Sequence, residues 1–144
     1  RSSAASDVYK RQVEGCDPRY SFRWIGKSNT VYVFEAPIDM LSFISMYQKG
    51  WMDHSYVALC GVAEHALMQL LNDAPHISQI ALCLDHDKAG IQARERIKKN
   101  LSERGYHMVF SLFSNLKDWN EDLQELKKPP PEYMNRQQTV IQMM

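Results

Sequence analysis

Acidic side chains fall three times at the end of an apolar run in this 144-residue chain. Glu35 closes the run 30–34, Thr-Val-Tyr-Val-Phe, and Asp39 stands four residues further on. Asp85 and Asp87 close the run 77–84, and Asp118 with Asn120 follows the run 106–113. Where extended backbone persists, residues two apart point the same way, which sets the Asp85 and Asp87 carboxylates about 6–7 Å apart. Carboxylates held so close repel each other unless a cation lies between them. Magnesium suits such a set: it is a hard cation that takes oxygen ligands, keeps several waters and often adds substrate phosphates to one or two carboxylates. Each acid also has a plainer reading. An Asp at a strand end serves in turns or caps the next helix, an acid at a helix start is favoured by the helix dipole, and Asp39 reads as ordinary surface charge. No single residue is diagnostic; their shared placement carries the weight.

The elements that must position these acids follow from pattern. The run 30–34 is β-branched or aromatic throughout and reads as a short buried strand. Pro37 then suits the first turn of a helix over 38–49, with Gly50 as its stop. A second strand spans 56–60, followed by Gly61 and by Ala63, Ala66, Leu67, Leu70 and Leu71, an amphipathic stripe. A third strand spans 77–84. A helix over 89–104 follows, with Ala93, Ile97 and Leu101 on its inner face and Gly105 as its cap. A fourth strand spans 106–113, with Met108, Phe110 and Leu112 alternating on one side, and a loop then leads to a short helix within 114–128. Strands and helices alternate, so the fold class expected is α/β, a Rossmann-like fold with a central, mainly parallel sheet of about four strands and helices on both faces. In such sheets ligands bind beyond the carboxyl ends of the strands, which is where the acids lie.

Composition bounds the rest. One domain is expected from the length, with a core supplied by 44% hydrophobic residues. The 17 basic and 17 acidic residues balance, which argues against a strongly basic nucleic-acid binder acting alone. The three cysteines, Cys16, Cys60 and Cys83, are widely spaced and form no zinc-ribbon pattern. Their usage fits a reducing cytoplasm, with Cys60 and Cys83 as small buried hydrophobes. No apolar stretch reaches membrane-spanning length. Residues 1–12 are polar, begin without Met and are expected to be disordered or non-native. Residues 13–29 read as an extension in which 20–25 forms an edge strand, residues 30–128 as the domain proper, and residues 129–144, after Lys127-Lys128-Pro129-Pro130-Pro131, as a tail.

Other residues were weighed against chemistry. Lys88, Arg94, Arg96, Lys98, Lys99 and Arg104 lie on or beside the third helix. They read as a phosphate-contacting face or as a solvated one, the latter preferred for Lys98 and Lys99, while Lys88 stands beside the acids. His86 alternates away from Asp85 and Asp87. Trp24, Trp51 and Trp119 suit base stacking or, more commonly, packing.

The strings Glu35-Ala36-Pro37-Ile38-Asp39 and Asp85-His86-Asp87-Lys88-Ala89-Gly90 resemble the Glu-Gly-x-x-Asp and Asp-Gly-Asp-x-Ala-Gly motifs of TOPRIM domains. Lys117-Asp118-Trp119-Asn120 resembles the primase Lys-Asp-Pro-Asp motif, and Gly61 sits at the family's glycine turn. The likeness spans residues 30–126 and is nearest to TOPRIM proteins of Gram-positive mobile elements. It departs in Ala36, where a glycine is usual, and in Asn120, where a second acid is usual. The resemblance implies Mg²⁺, with Mn²⁺ as a substitute, held by Asp85 and Asp87 with support from Asp39, Asp118 and Asn120. Glu35 would be a ligand or the general acid/base in phosphoryl transfer. It further implies primase-like nucleotidyl transfer on DNA or RNA, within a longer protein that has other domains. A TOPRIM nuclease, a topoisomerase fragment and a non-catalytic metal- or nucleotide-binding module remain alternatives. A receiver-like phosphoacceptor domain ranks lower, because its acidic pair would follow the first strand and not the third.

Overall fold

The computed structural model describes residues 22–60 and 64–129. Five strands form one sheet: β1 (Arg23–Trp24), β2 (Thr30–Phe34), β3 (Ser55–Ala58), β4 (Gln79–Leu82) and β5 (Met108–Ser111). Their spatial order is β1-β3-β2-β4-β5. The last four run parallel and only the two-residue β1 is antiparallel, paired with β3 at one edge. Four helices connect or follow the strands: α1 (Pro37–Met46), α2 (His65–Asp73), α3 (Lys88–Glu103) and α4 (Trp119–Lys127).

The pleat divides the core in two. Val31, Val33, Val57, Ile80 and Leu82 point to one face, where Leu67 and Leu70 of α2 and Ile97 and Leu101 of α3 cover them. Each of these four helix side chains is fully buried, which contributes roughly 2 kcal/mol apiece. Phe34, Tyr56, Ala58, Ala81 and Cys83 point to the other face, under Met40 and Phe43 of α1 and Trp119 of α4. Helices therefore lie on both faces of a mostly parallel sheet, the α/β class expected from the alternation.

Several boundaries are shorter than the apolar runs suggested. The helix expected over 38–49 ends at Met46, and Gly50, in left-handed backbone with φ 72°, precedes a 3-10 turn over Trp51–Asp53. Strand pairing over the run 77–84 stops at Leu82, although Cys83 and Leu84 stay buried. The alternation expected for 106–113 places Met108 and Phe110 on the α1/α4 face, but at the sheet edge, beyond the cover of either helix. Both are exposed, while Val109 between them packs on the opposite core. β5 is an edge strand, and its alternation marks register without marking burial. Residues 1–21, residues 61–63, with Gly61 and Ala63 among them, and residues 130–144 lie outside the described residues.

Two glycines meet steric demands. Gly105, at φ 92°, turns the chain out of α3. Gly90 sits in the first turn of α3 against the backbone carbonyl of Asp85, which an added Cβ would strike. The Ala89-Gly90 pair is thus what lets α3 begin directly on the end of β4. Gly90→Ala is expected to lower stability by about 3 kcal/mol, because the obstructing atom is backbone and cannot rotate away. Thermal denaturation checks this; an unchanged melting temperature would mean that α3 shifts without cost.

Candidate metal centre

The acids reach one place from three directions. β2 delivers Glu35, and α1 starts immediately after it. Ala36 is the N-cap residue of α1 at φ −131°, ψ 150°, extended backbone open to any residue, so the alanine in place of glycine introduces no strain. Pro37 occupies the first turn, where its missing N–H costs nothing. Asp39 follows in the same turn and is buried. β4 delivers Asp85, and the loop after β5 delivers Asp118 as the N-cap of α4.

Asp39, Asp85 and Asp118 each offer a carboxylate oxygen, and these three atoms lie within 4.8 Å of one another. Opposite ligands of an octahedral magnesium site are about 4.2 Å apart, so one divalent cation fits with little adjustment. Two of the three are fixed through their other functions. Oδ1 of Asp39 accepts the backbone N–H of Asn120 at 3.2 Å, and Oδ1 of Asp118 accepts that of Glu121 at 2.8 Å. Asp85 has the opposite character: its Oδ1 is buried and finds no hydrogen-bond partner among the described residues. A carboxylate with an orphaned buried oxygen, beside two more carboxylates, is poorly accommodated without a cation. The all-oxygen donor set suits a hard divalent ion and not zinc.

The field of the cluster acts on its own members. Burial, then the charge and hydrogen bond of Asp85, raise Glu35 to about 7. Burial raises Asp39 to about 6 against the backbone hydrogen bond from Asn120. Burial, with Asp118 and Asp87 nearby, also pushes Asp85 up, while hydrogen bonding to Glu35 pulls it down. A proton shared between Glu35 and Asp85 is what relieves the pair in the absence of metal. Because Glu35 and Asp39 bind protons more tightly folded than unfolded, the native state holds the excess protons between about pH 4 and 7. Metal-free stability should therefore fall as pH rises through that window, by on the order of 1–2 kcal/mol after solvent screening. Added Mg²⁺ should stabilise more at pH 8 than at pH 5.5. Melting curves in chelator and in Mg²⁺ at the two pH values check both signs.

The other candidates fall differently. Asp87 is the N-cap of α3, its Oδ1 accepting the N–H of Gly90 at 2.8 Å. Its carboxylate reaches the cluster as charge, raising Glu35 and Asp85, and is not among the three converging ligands. The side-chain oxygen of Asn120 accepts from Ser42 at 3.3 Å, so its backbone supports Asp39 while its side chain turns to α1. Lys88 is exposed in the first turn of α3 and forms no ion pair among the described residues. His86 hydrogen-bonds the carbonyl of Ser114 through Nδ1 at 2.8 Å and leans on Phe113, away from the acids. Cys60 takes left-handed backbone at φ 56° after β3, and its N–H binds the carbonyl of Glu35 at 2.8 Å, tying that turn to the site.

Two residues matter more than sequence reasoning allowed. Arg94 does not present a phosphate-contacting face. It is 3% exposed and donates to the carbonyls of Leu82, Leu84 and Leu112 at 2.8, 2.6 and 2.8 Å, with its guanidinium 4.0 Å from the ring centre of Phe113. Its spacing was the available signal, since 94, 97 and 101 share one helix stripe. Asp122 accepts the N–H groups of Asn115 and Leu116, both at 2.8 Å, and so closes the loop that presents Asp118.

The comparisons with known proteins agree with this architecture. A family model described as Toprim-like matches residues 32–123, more than half of the chain. The uncharacterized protein MG010 homolog of Mycoplasma pneumoniae is 31% identical over 96 residues, 66% of this chain and 43% of that protein. Uncharacterized protein MG010 of Mycoplasma genitalium is 30% identical over 97 residues, 66% of this chain and 42% of that protein. The chain thus spans less than half the length of these curated relatives. Among solved structures, the primase fragment of the bacteriophage T7 primase-helicase protein superposes with a TM-score of 0.57 at 24% identity, over 71% of this chain and 41% of that one. At that identity the likeness establishes the fold alone.

Proposed function

The chain belongs to the Toprim-like family, and from that premise we propose that it is the metal-dependent nucleotidyl-transfer domain of a longer, primase-like protein acting on nucleic acid. The single observation that carries the reading is the convergence of Asp39, Asp85 and Asp118 within 4.8 Å, with Oδ1 of Asp85 unpartnered among the described residues. Mg²⁺, or Mn²⁺ in its place, would be held by these three carboxylates. When bound, it would neutralise charge on a transferring phosphoryl group and orient the attacking oxygen. Glu35, half-buried and held at about 7, is the residue suited to taking a proton from an attacking hydroxyl near neutral pH. Asp87 contributes field and caps α3, Asn120 holds Asp39 in place, and Lys88 is free to meet a phosphate at the rim. The Gram-positive mobile-element setting belongs to the same proposal.

A second reading, a binding module without turnover, is favoured by the Asn120 side chain, which pairs with Ser42 and adds no ligand. The deciding assay uses the full-length protein with Mg²⁺ or Mn²⁺, comparing wild type with Glu35→Gln. Primer synthesis on a single-stranded template that falls at least about 100-fold in the variant supports the proposal. Nicking without synthesis would reassign it to a nuclease, and metal binding with neither activity would establish the binding module.

A further inference from the structure

On the face of the sheet covered by α1 and α4, the layer is incomplete. β4 offers only the small side chains of Ala81 and Cys83 there, and Phe110 of β5 stands exposed. The gap is a cleft of about 510 Å³, within the range of small-molecule sites. None of Glu35, Asp39, Asp85, Asp87 or Asp118 lines it.

Its walls are flat and fixed. Register places Tyr32 of β2 beside Tyr56 of β3, with the rings stacked at 5.5 Å and 18°. Phe43 of α1 meets Trp119 edge-on at 5.0 Å, and the indole N–H of Trp119 is spent on the carbonyl of Cys83 at 2.9 Å, so its ring is held as a wall.

The polar atoms of the cleft are less well satisfied. Tyr56 is only 2% exposed and lines the cleft, yet its hydroxyl has no hydrogen-bond partner among the described residues, and neither has that of Tyr32. Neither hydroxyl is among the buried unpartnered atoms, so both phenols stay open to the cleft. His54 commits Nδ1 to Ser28 Oγ at 2.8 Å, which leaves Nε2 unbonded among the described residues, and Lys49 brings an ammonium to the rim. Burial and the adjacent Tyr32 hold the Tyr56 phenol up to about 12, so it stays a donor at any physiological pH.

Aromatic walls, two unpaired phenols and a cation at the mouth complement one kind of molecule: a flat ring with acceptors on its edge and a negative substituent. We propose that this cleft is a ligand site, separate from the metal centre, for a small planar heteroaromatic anion. The inference does not depend on the metal reading.

The test is fluorescence titration in chelator with two probes, adenosine monophosphate and anilinonaphthalene sulfonate, on wild type, Tyr32→Phe/Tyr56→Phe and Asp85→Asn. Saturable binding of at least one probe is expected in wild type, undiminished in Asp85→Asn. In the double Phe variant it should be about 10-fold weaker, with a melting temperature equal to or above that of wild type. Three results would overturn the proposal: no saturable binding of either probe below about 1 mM, equal affinity in the double Phe variant, or a lowered melting temperature showing the hydroxyls to be structural. Loss of binding in Asp85→Asn would overturn it too, by assigning the probe to the metal centre. Normal probe binding in a protein that takes up no Mg²⁺ would uphold the cleft and sink the metal reading.

Discussion

Asp85→Asn is expected to weaken Mg²⁺ binding at least about 100-fold while leaving the protein as stable as wild type or more so. The two halves of this result come from one atom. Oδ1 of Asp85 is buried without a hydrogen-bond partner among the described residues, and burial with the carboxylates of Asp118 and Asp87 disfavours the charge of Asp85, while hydrogen bonding to Glu35 only partly offsets this. Removing the charge would take away one proposed ligand and also relieve repulsion in the metal-free state, a gain on the order of 1 kcal/mol. Asp87→Asn separates the two neighbouring acids. Asparagine is as good an N-cap as aspartate, so the α3 cap to Gly90 survives and only the field is reduced, whereas Asp87→Ala should cost about 1 kcal/mol of stability. Calorimetric titration and melting of the three variants check the assignment. If Asp87→Asn lost as much metal affinity as Asp85→Asn, the ion would sit between those two acids and not among Asp39, Asp85 and Asp118.

Arg94→Met is expected to produce the largest loss of stability of any single change proposed for this domain, about 3–5 kcal/mol. The guanidinium is the donor for three carbonyls at the end of β4 and in the chain leaving β5, beside the backbone bond from Leu112 to Leu82. Without it, the carbonyl of Leu84 loses its guanidinium donor, that of Leu82 keeps only the N–H of Leu112, and the loop bearing Asp118 loses its anchor at the Leu112 carbonyl. Arg94→Lys should fall nearly as far, because an ammonium on a flexible stem does not span three divergent carbonyls as a planar fork does. Denaturant melts of both variants decide the matter. A lysine variant as stable as wild type would mean that charge alone, set against Glu35 and Asp85, is what the site requires.

The fold was legible because nothing local contradicts it. Each strand is a short β-branched or apolar run, each helix a stripe, and Gly90 and Gly105 stand where the backbone needs them. The acids were legible as a group because they recur at strand ends. Their division of labour was not, since Asp85 and Asp87 look alike in sequence and differ only in which way the chain turns after β4. Ala36 looked like a departure of consequence, and extended backbone at that residue removes it. Arg94 was read by its charge when its stripe position said more. The exposure of Met108 and Phe110 depends on which elements cover β5, a tertiary fact that alternation along one strand does not contain.

The three converging carboxylates are scattered along the chain in a way that bears on how the domain folds. Asp39 comes early, Asp85 in the middle and Asp118 late, and the last is aligned only once α4 has docked against α1 and Asn120 has bound Asp39. The parallel crossovers joining β2, β3, β4 and β5 must close first, a slow, non-local search for a chain of this size. The ion therefore has nothing complete to bind until the final element arrives. An ion bound there would act as a latch on the finished domain, slowing its escape from the native state, and would take little part in guiding the chain there.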